Sequence, residues 1–163
     1  MHSLIRNPHS CALDNRLLKH AEAPCEKQSP VTQQEIRFAA HQRPISQTNP
    51  KGIIVYCNDD FVTISGFSRE ELIGKPHSIV RHPDTPETVF AEMWSHLENG
   101  KCWMGTLKNR CKNGDHYWVS IYITPVLENG YIVGYESESV AQCIASERSS
   151  ANQCIDSAAF CRA

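Results

Sequence analysis

The sequence predicts an α+β fold, an antiparallel sheet of about five strands with several helices covering one face. Three observations predict it. Two short β-prone runs flank an Asn-Pro-Lys-Gly turn near residue 50, capped helix signals follow, and residues 102–140 hold three β-like segments joined by Asn-Gly turns.

In chain order, Ile45 to Thr48 and Ile53 to Cys57 are the β-prone runs, and Asn49-Pro50-Lys51-Gly52 between them makes a hairpin. Asn58 and Asp59 have the chemistry of N-cap residues for a short helix holding Phe61, Val62 and Ile64, which Gly66 ends. Ser68 to Glu71 is a capping box before Leu72, and Gly74 terminates that second helix. Pro86 to Leu97 is the longest helix, closed by Asn99-Gly100, with Val89, Phe90, Met93, Trp94 and Leu97 on one apolar face. Cys102 to Cys111 and His116 to Val126 flank the turn Lys112-Asn113-Gly114-Asp115, and Glu128-Asn129-Gly130 leads into Tyr131 to Val140. Alternation puts Tyr117, Val119, Ile121 and Ile123 on an apolar face of the middle strand, with Trp118, Ser120, Tyr122 and Thr124 on a mixed one. That mixed face is read either as pocket lining or as an exposed or partner-packed surface.

The 163 residues suit one domain with tails: a flexible leader over 1–29, an N-terminal cap over 30–43, the ordered domain over 44–140 and a tail over 141–163. A net charge of -2 supplies no basic field, which argues against nucleic acid as a partner. No apolar run approaches the roughly 20 residues that span a bilayer, and the N-terminus lacks the apolar core of a secretory signal, so a cytoplasmic protein is expected. Eight cysteines include no Cys-x-x-Cys pair, and reduced apolar residues are favoured over a disulfide framework. Cys143, Cys154 and Cys161 share one face if the tail is helical, which reads either as a dimerising or redox-sensitive stripe or as a frayed segment.

The densest chemistry lies in Ser78 to Trp94. Arg81, His82 and Asp84 fall within four residues, Pro83 fixes a backbone angle among them, and Pro86 opens the long helix. Such a loop is stiff, polar and aimed at a ligand, or else closed by an Arg81–Asp84 salt bridge.

Several motifs, in order, resemble the PAS sensor domain and, more narrowly, the flavin-binding PAS module of bacterial aerotaxis receptors. They are Pro-Val-Thr-Gln-Gln at 30–34, Ile-Val-Tyr-Cys-Asn-Asp-Asp-Phe at 54–61 and Ser-Gly-Phe-Ser-Arg-Glu-Glu-Leu-Ile-Gly at 65–74. Ile-Val-Arg-His-Pro-Asp at 79–84, Lys-Asn-Arg-Cys-Lys-Asn-Gly-Asp-His-Tyr-Trp-Val at 108–119 and Thr-Pro-Val at 124–126 complete the set. The resemblance covers about Pro30 to Val140 and implies non-covalent FAD between sheet and helices, its redox state being the signal. It implies that Arg81 and His82 meet the phosphates or adenosine side and that Asp84 orients them or bonds a sugar hydroxyl. Asn58 and Asn109 would serve the flavin's polar edge, and Phe90, Trp94 and Trp103 would wall its rings. On residue type and spacing alone, Asn58 is at least as well explained as a helix cap, and Trp94, at helical spacing with Phe90, is more often core than pocket lining. The last strand, Gly134 to Val140, lacks the basic residues the family carries there.

The function expected is therefore redox or oxygen sensing, without enzymatic activity, in a chemotaxis-type pathway with a downstream signalling domain or partner protein and with homodimerisation open. The alternatives are a haem gas sensor with His96, His82 or His116 as axial ligand, and a cofactor-free interaction module. A blue-light photoadduct domain is poorly matched, because Cys57 precedes the first helix rather than following the second.

Overall fold

A computed structural model describes residues 29–142; the predicted leader and the cysteine-bearing tail lie almost wholly outside them. The chain order is β1 (Ile45–Thr48), β2 (Ile54–Cys57), α1 (Asp59–Ser65), α2 (Arg69–Leu72), a 3₁₀ helix (His77–Val80), α3 (Glu87–Glu98), β3 (Trp103–Arg110), β4 (His116–Glu128) and β5 (Tyr131–Ala141). The five strands form one antiparallel sheet in the order β2-β1-β5-β4-β3. The fold is the predicted one, and the 3₁₀ helix is the element sequence reading passed over.

Local chemistry explains the boundaries. Asn58 caps α1 by accepting from the Phe61 N–H, and Gly66 ends it at φ 73°, a left-handed angle that costs glycine little. Ser68 and Glu71 form the reciprocal capping box of α2. The β4–β5 turn places Asn129 and Gly130 at φ 51° and 81°, the pair of positive angles that a tight hairpin demands.

The inner face of β4 carries Tyr117, Val119, Ile121 and Ile123, all buried. With Leu97 and Met93 of α3, Leu107 of β3 and Tyr135 of β5 they make the larger core cluster. Ile54, Cys57, Phe61, Leu72 and Val80 make a smaller one under α1 and α2. Between α3, the 3₁₀ helix and the inner face of the sheet a cavity remains. It is lined by the apolar face of β4, so the pocket reading of the mixed face is corrected: Trp118 and Tyr122 face outward, and Trp118 is substantially exposed.

Candidate functional site

The cavity encloses about 150 Å³ between α3, the 3₁₀ helix and the inner face of the sheet. Helical periodicity builds one wall, because Phe90, Met93, Trp94 and Leu97 recur on the side of α3 that meets the strands. Leu107, Ile121, Ile123 and Tyr135 supply the sheet wall. Trp94 meets Tyr135 edge to face, with ring centroids 5.3 Å apart, so it is at once core and pocket wall.

Polar groups enter at defined points. Arg81 leaves the 3₁₀ helix in extended form and pairs with Asn109 at the free edge of β3, which brings both residues to the cavity. The Arg81 guanidinium lies 4.1 Å from the Phe90 ring centroid, a cation–π contact that fixes its direction. On the far wall, Ser46 Oγ is 2.9 Å from His77 Nε2 and 2.8 Å from Ser137 Oγ, and all three residues line the cavity. Burial pushes the His77 imidazole down to about 4, so it is neutral near pH 7. Exposed Lys51 stands among the lining residues.

Of the residues predicted from sequence, Arg81, Phe90, Trp94 and Asn109 therefore come together. The other four lie elsewhere. Asn58 spends its side chain on backbone: Oδ1 accepts from the Ile45 and Phe61 N–H groups, each at 3.0 Å, and Nδ2 donates to the Arg43 carbonyl at 2.6 Å. Trp103 folds flat over Gly105 of its own strand, where a Cβ would run into the indole, and its Nε1 is buried without a partner. The loop after Arg81 turns His82 and Asp84 away from the cavity. Asp84 accepts from Lys108 Nζ at 2.7 Å and from Gln33, and the Lys108 hydrogen bond holds its carboxyl below the usual range. No Arg81–Asp84 salt bridge forms; Arg81 goes to Phe90 and Asp84 to Lys108.

His82 is fully buried, its ring centroid 5.6 Å from that of His116. Burial first, and Lys108 next, lower both imidazoles. Residues 29–36 cross above this pair as a strap. Thr32 donates to the Asp115 carboxylate, Arg110 to the Ser29 carbonyl and Lys108 Nζ to Gln33 Oε1 at 3.0 Å. The Ile36 N–H donates to the His116 carbonyl at 2.8 Å and the His116 N–H to the Gln34 carbonyl at 2.9 Å, and Phe38 reaches the core against Tyr117. Neither His82, His96 nor His116, the histidines considered for haem, lines the cavity; the histidine that does is His77. Sequence reading missed His77, Ser46 and Ser137; the alternation that puts Ser137 on the inner face of β5 was the available signal.

The chain belongs to the PAS fold family, which matches residues 54–138. It is 47% identical over 107 residues to the aerotaxis receptor of Escherichia coli (strain K12), a match covering 66% of this chain and 21% of that protein. Among solved structures, a PAS domain from Colwellia psychrerythraea superposes with a TM-score of 0.57 at 28% identity, covering 61% of this chain and 86% of that one. A light-oxygen-voltage domain studied with a flavin analogue superposes with a TM-score of 0.58 at 23% identity, covering 63% and 78%, and shows the shared fold. The chain thus spans about a fifth of the length of that curated relative. It is a sensory-type domain found in signal-transduction proteins, and no helix among the described residues is long and apolar enough to cross a membrane.

Proposed function

We propose that this chain is a non-catalytic, cytoplasmic PAS module that holds FAD in the cavity and senses redox state or oxygen for a chemotaxis-type partner or downstream signalling domain. Residues 44–140 form the sensor on this reading and 30–43 its cap. The observation that carries it is the cavity's chemistry: apolar and aromatic walls for a flat ring, Asn109 and a hydroxyl–imidazole chain for its polar edge, and a cation, Arg81, locked by Phe90. The enclosed 150 Å³ is below the roughly 300–1,000 Å³ of sites that bury a whole drug-sized ligand, so it suits a ring system whose charged remainder leaves past Arg81 and Lys51. The E. coli aerotaxis receptor and the flavin-associated light-oxygen-voltage domain support the cofactor class. Bound FAD would supply a reversible redox centre; the protein's residues would hold it and respond.

Arg81 would bind the diphosphate through charge-assisted hydrogen bonds worth about 1.5–3 kcal/mol. Arg81→Ala should therefore weaken FAD retention by about 10- to 100-fold in equilibrium dialysis, whereas Asp84→Asn, outside the cavity, should retain it. Unchanged retention in Arg81→Ala would contradict the assignment.

A further inference from the structure

We infer that Ser137, Ser46 and His77 form a reversible hydrogen-bond relay that reads whether the ring in the cavity presents a hydrogen-bond acceptor or a donor, and records the answer as the tautomer of His77. This rests on the flavin reading above and adds residues and a signal to it. The chain joins three elements. Ser46 on β1 stands opposite Ser137 on β5 in the strand register, and His77 opens the 3₁₀ helix, its own N–H bonded to the Gly52 carbonyl at 2.9 Å. Ser46 is 1% exposed, so bulk solvent does not compete for either of its partners.

The geometry allows two directions and no mixture. A hydroxyl has one hydrogen to donate and a neutral imidazole has one N–H and one bare nitrogen. In the first direction His77 Nε2–H donates to Ser46 Oγ, Ser46 donates to Ser137, and the Ser137 hydrogen is left to donate into the cavity. In the second, Ser137 accepts from the cavity and donates to Ser46, Ser46 donates to Nε2, and the proton of His77 resides on Nδ1. Each oxygen–oxygen or oxygen–nitrogen contact is satisfied in both, so the relay can reverse without moving a heavy atom: the two hydroxyl hydrogens turn over, Nε2 gives up its proton to solvent and Nδ1 of the half-buried His77 takes one up from solvent. Burial keeps His77 neutral, so the variable is its tautomer rather than its charge. An isoalloxazine has a ring nitrogen that accepts when oxidised and carries a hydrogen when reduced. Ser137 meeting that nitrogen would run the chain in the first direction in the oxidised state and in the second in the reduced state. The change would then arrive at the 3₁₀ helix, outside the ring's own contacts.

The test is ¹⁵N NMR of the full chain loaded with FAD, oxidised and then reduced anaerobically with dithionite. The reductant supplies two electrons, and solvent supplies the proton that turns the ring nitrogen into a donor. His77 resonances are assigned by their loss in His77→Gln. The Nε2 and Nδ1 signals should exchange between the protonated and unprotonated ranges on reduction, and apo protein treated with dithionite should show no exchange. Ser137→Ala, loaded at saturating FAD, should hold one tautomer in both states, while Ser139→Ala, a buried neighbour on the same strand, should switch as wild type does. The same His77 tautomer in both states of the loaded wild-type protein overturns the relay and leaves the flavin reading standing. Failure of the wild-type protein to retain FAD overturns both.

Discussion

Replacing Asn58 separates a cap from a ligand contact. Its Oδ1 holds the Ile45 and Phe61 N–H groups and its Nδ2 holds the Arg43 carbonyl, so one side chain ties the start of β1 to the start of α1. Asn58→Ala loses the cap bond, worth about 1 kcal/mol. It also strips two further backbone groups, each worth about 0.5–1.5 kcal/mol net where water can partly replace the partner, as at this half-buried position. The expected destabilisation is about 2–3 kcal/mol. In urea unfolding of the apo protein, with a slope of roughly 2 kcal/mol per molar, the midpoint should fall by about 1 M or slightly more. Asn58→Asp keeps both acceptor bonds, turns an oxygen toward the Arg43 carbonyl and adds a carboxylate beside Asp59 and Asp60, so it should recover about half of the loss. An Asn58→Ala protein with an unchanged urea midpoint but weakened FAD retention would refute the reasoning and return Asn58 to the ligand.

Two further outcomes follow from the geometry. Because folding lowers His77 from 6.5 to about 4, the unfolded chain takes up the proton first as pH falls; stability is full above about 6.5 and declines towards pH 4 by up to about 3 kcal/mol. His77→Gln should remove that part of the decline in urea titrations between pH 7 and pH 4, leaving the smaller share of His82 and His116, which are lowered in the same direction. Gly114 sits at φ 97°, and a Cβ there would run into the Pro30 carbonyl oxygen, so Gly114→Ala should cost about 1–3 kcal/mol and lift the strap. Limited proteolysis should then cut within residues 29–36 faster than in wild type, while an unchanged rate would contradict the strap's dependence on that close approach.

The elements were legible because each is specified locally. As caps and turns, Asn58, Ser68, Gly66 and the two Asn-Gly pairs act through neighbours within four residues, whereas the bonds of Asn58 to Ile45 and Arg43 were not legible locally; the strict alternation of Tyr117 to Thr124 marked the inner face of β4. The cavity was legible only where one residue has one plausible direction: Phe90 and Trp94 follow from helical spacing, and Arg81 and Asn109 meet through a bridge between separate segments. His82 and Asp84 were expected beside Arg81 because they adjoin it in sequence. Extended backbone instead sends consecutive side chains to opposite sides, and the loop carries them to Lys108 and His116. Ser46, His77 and Ser137 have no local signature as a group, since their meeting depends on strand register and on a 3₁₀ helix that no periodicity announces. A cap over 30–43 was expected, and Ile36 and Phe38 pack against the core; the strap's polar anchors were hidden, because their partners lie 75 to 83 positions along the chain.

The central claim is that the cavity between α3 and the sheet holds a flavin. The most direct test is the absorption spectrum of the purified chain before and after incubation with FAD and removal of excess, followed by acid release of the chromophore. The account predicts the two-banded flavin spectrum, full release of FAD by acid and a marked loss of colour in Arg81→Ala. A colourless wild-type protein after incubation with FAD, or a single intense haem band, would contradict it.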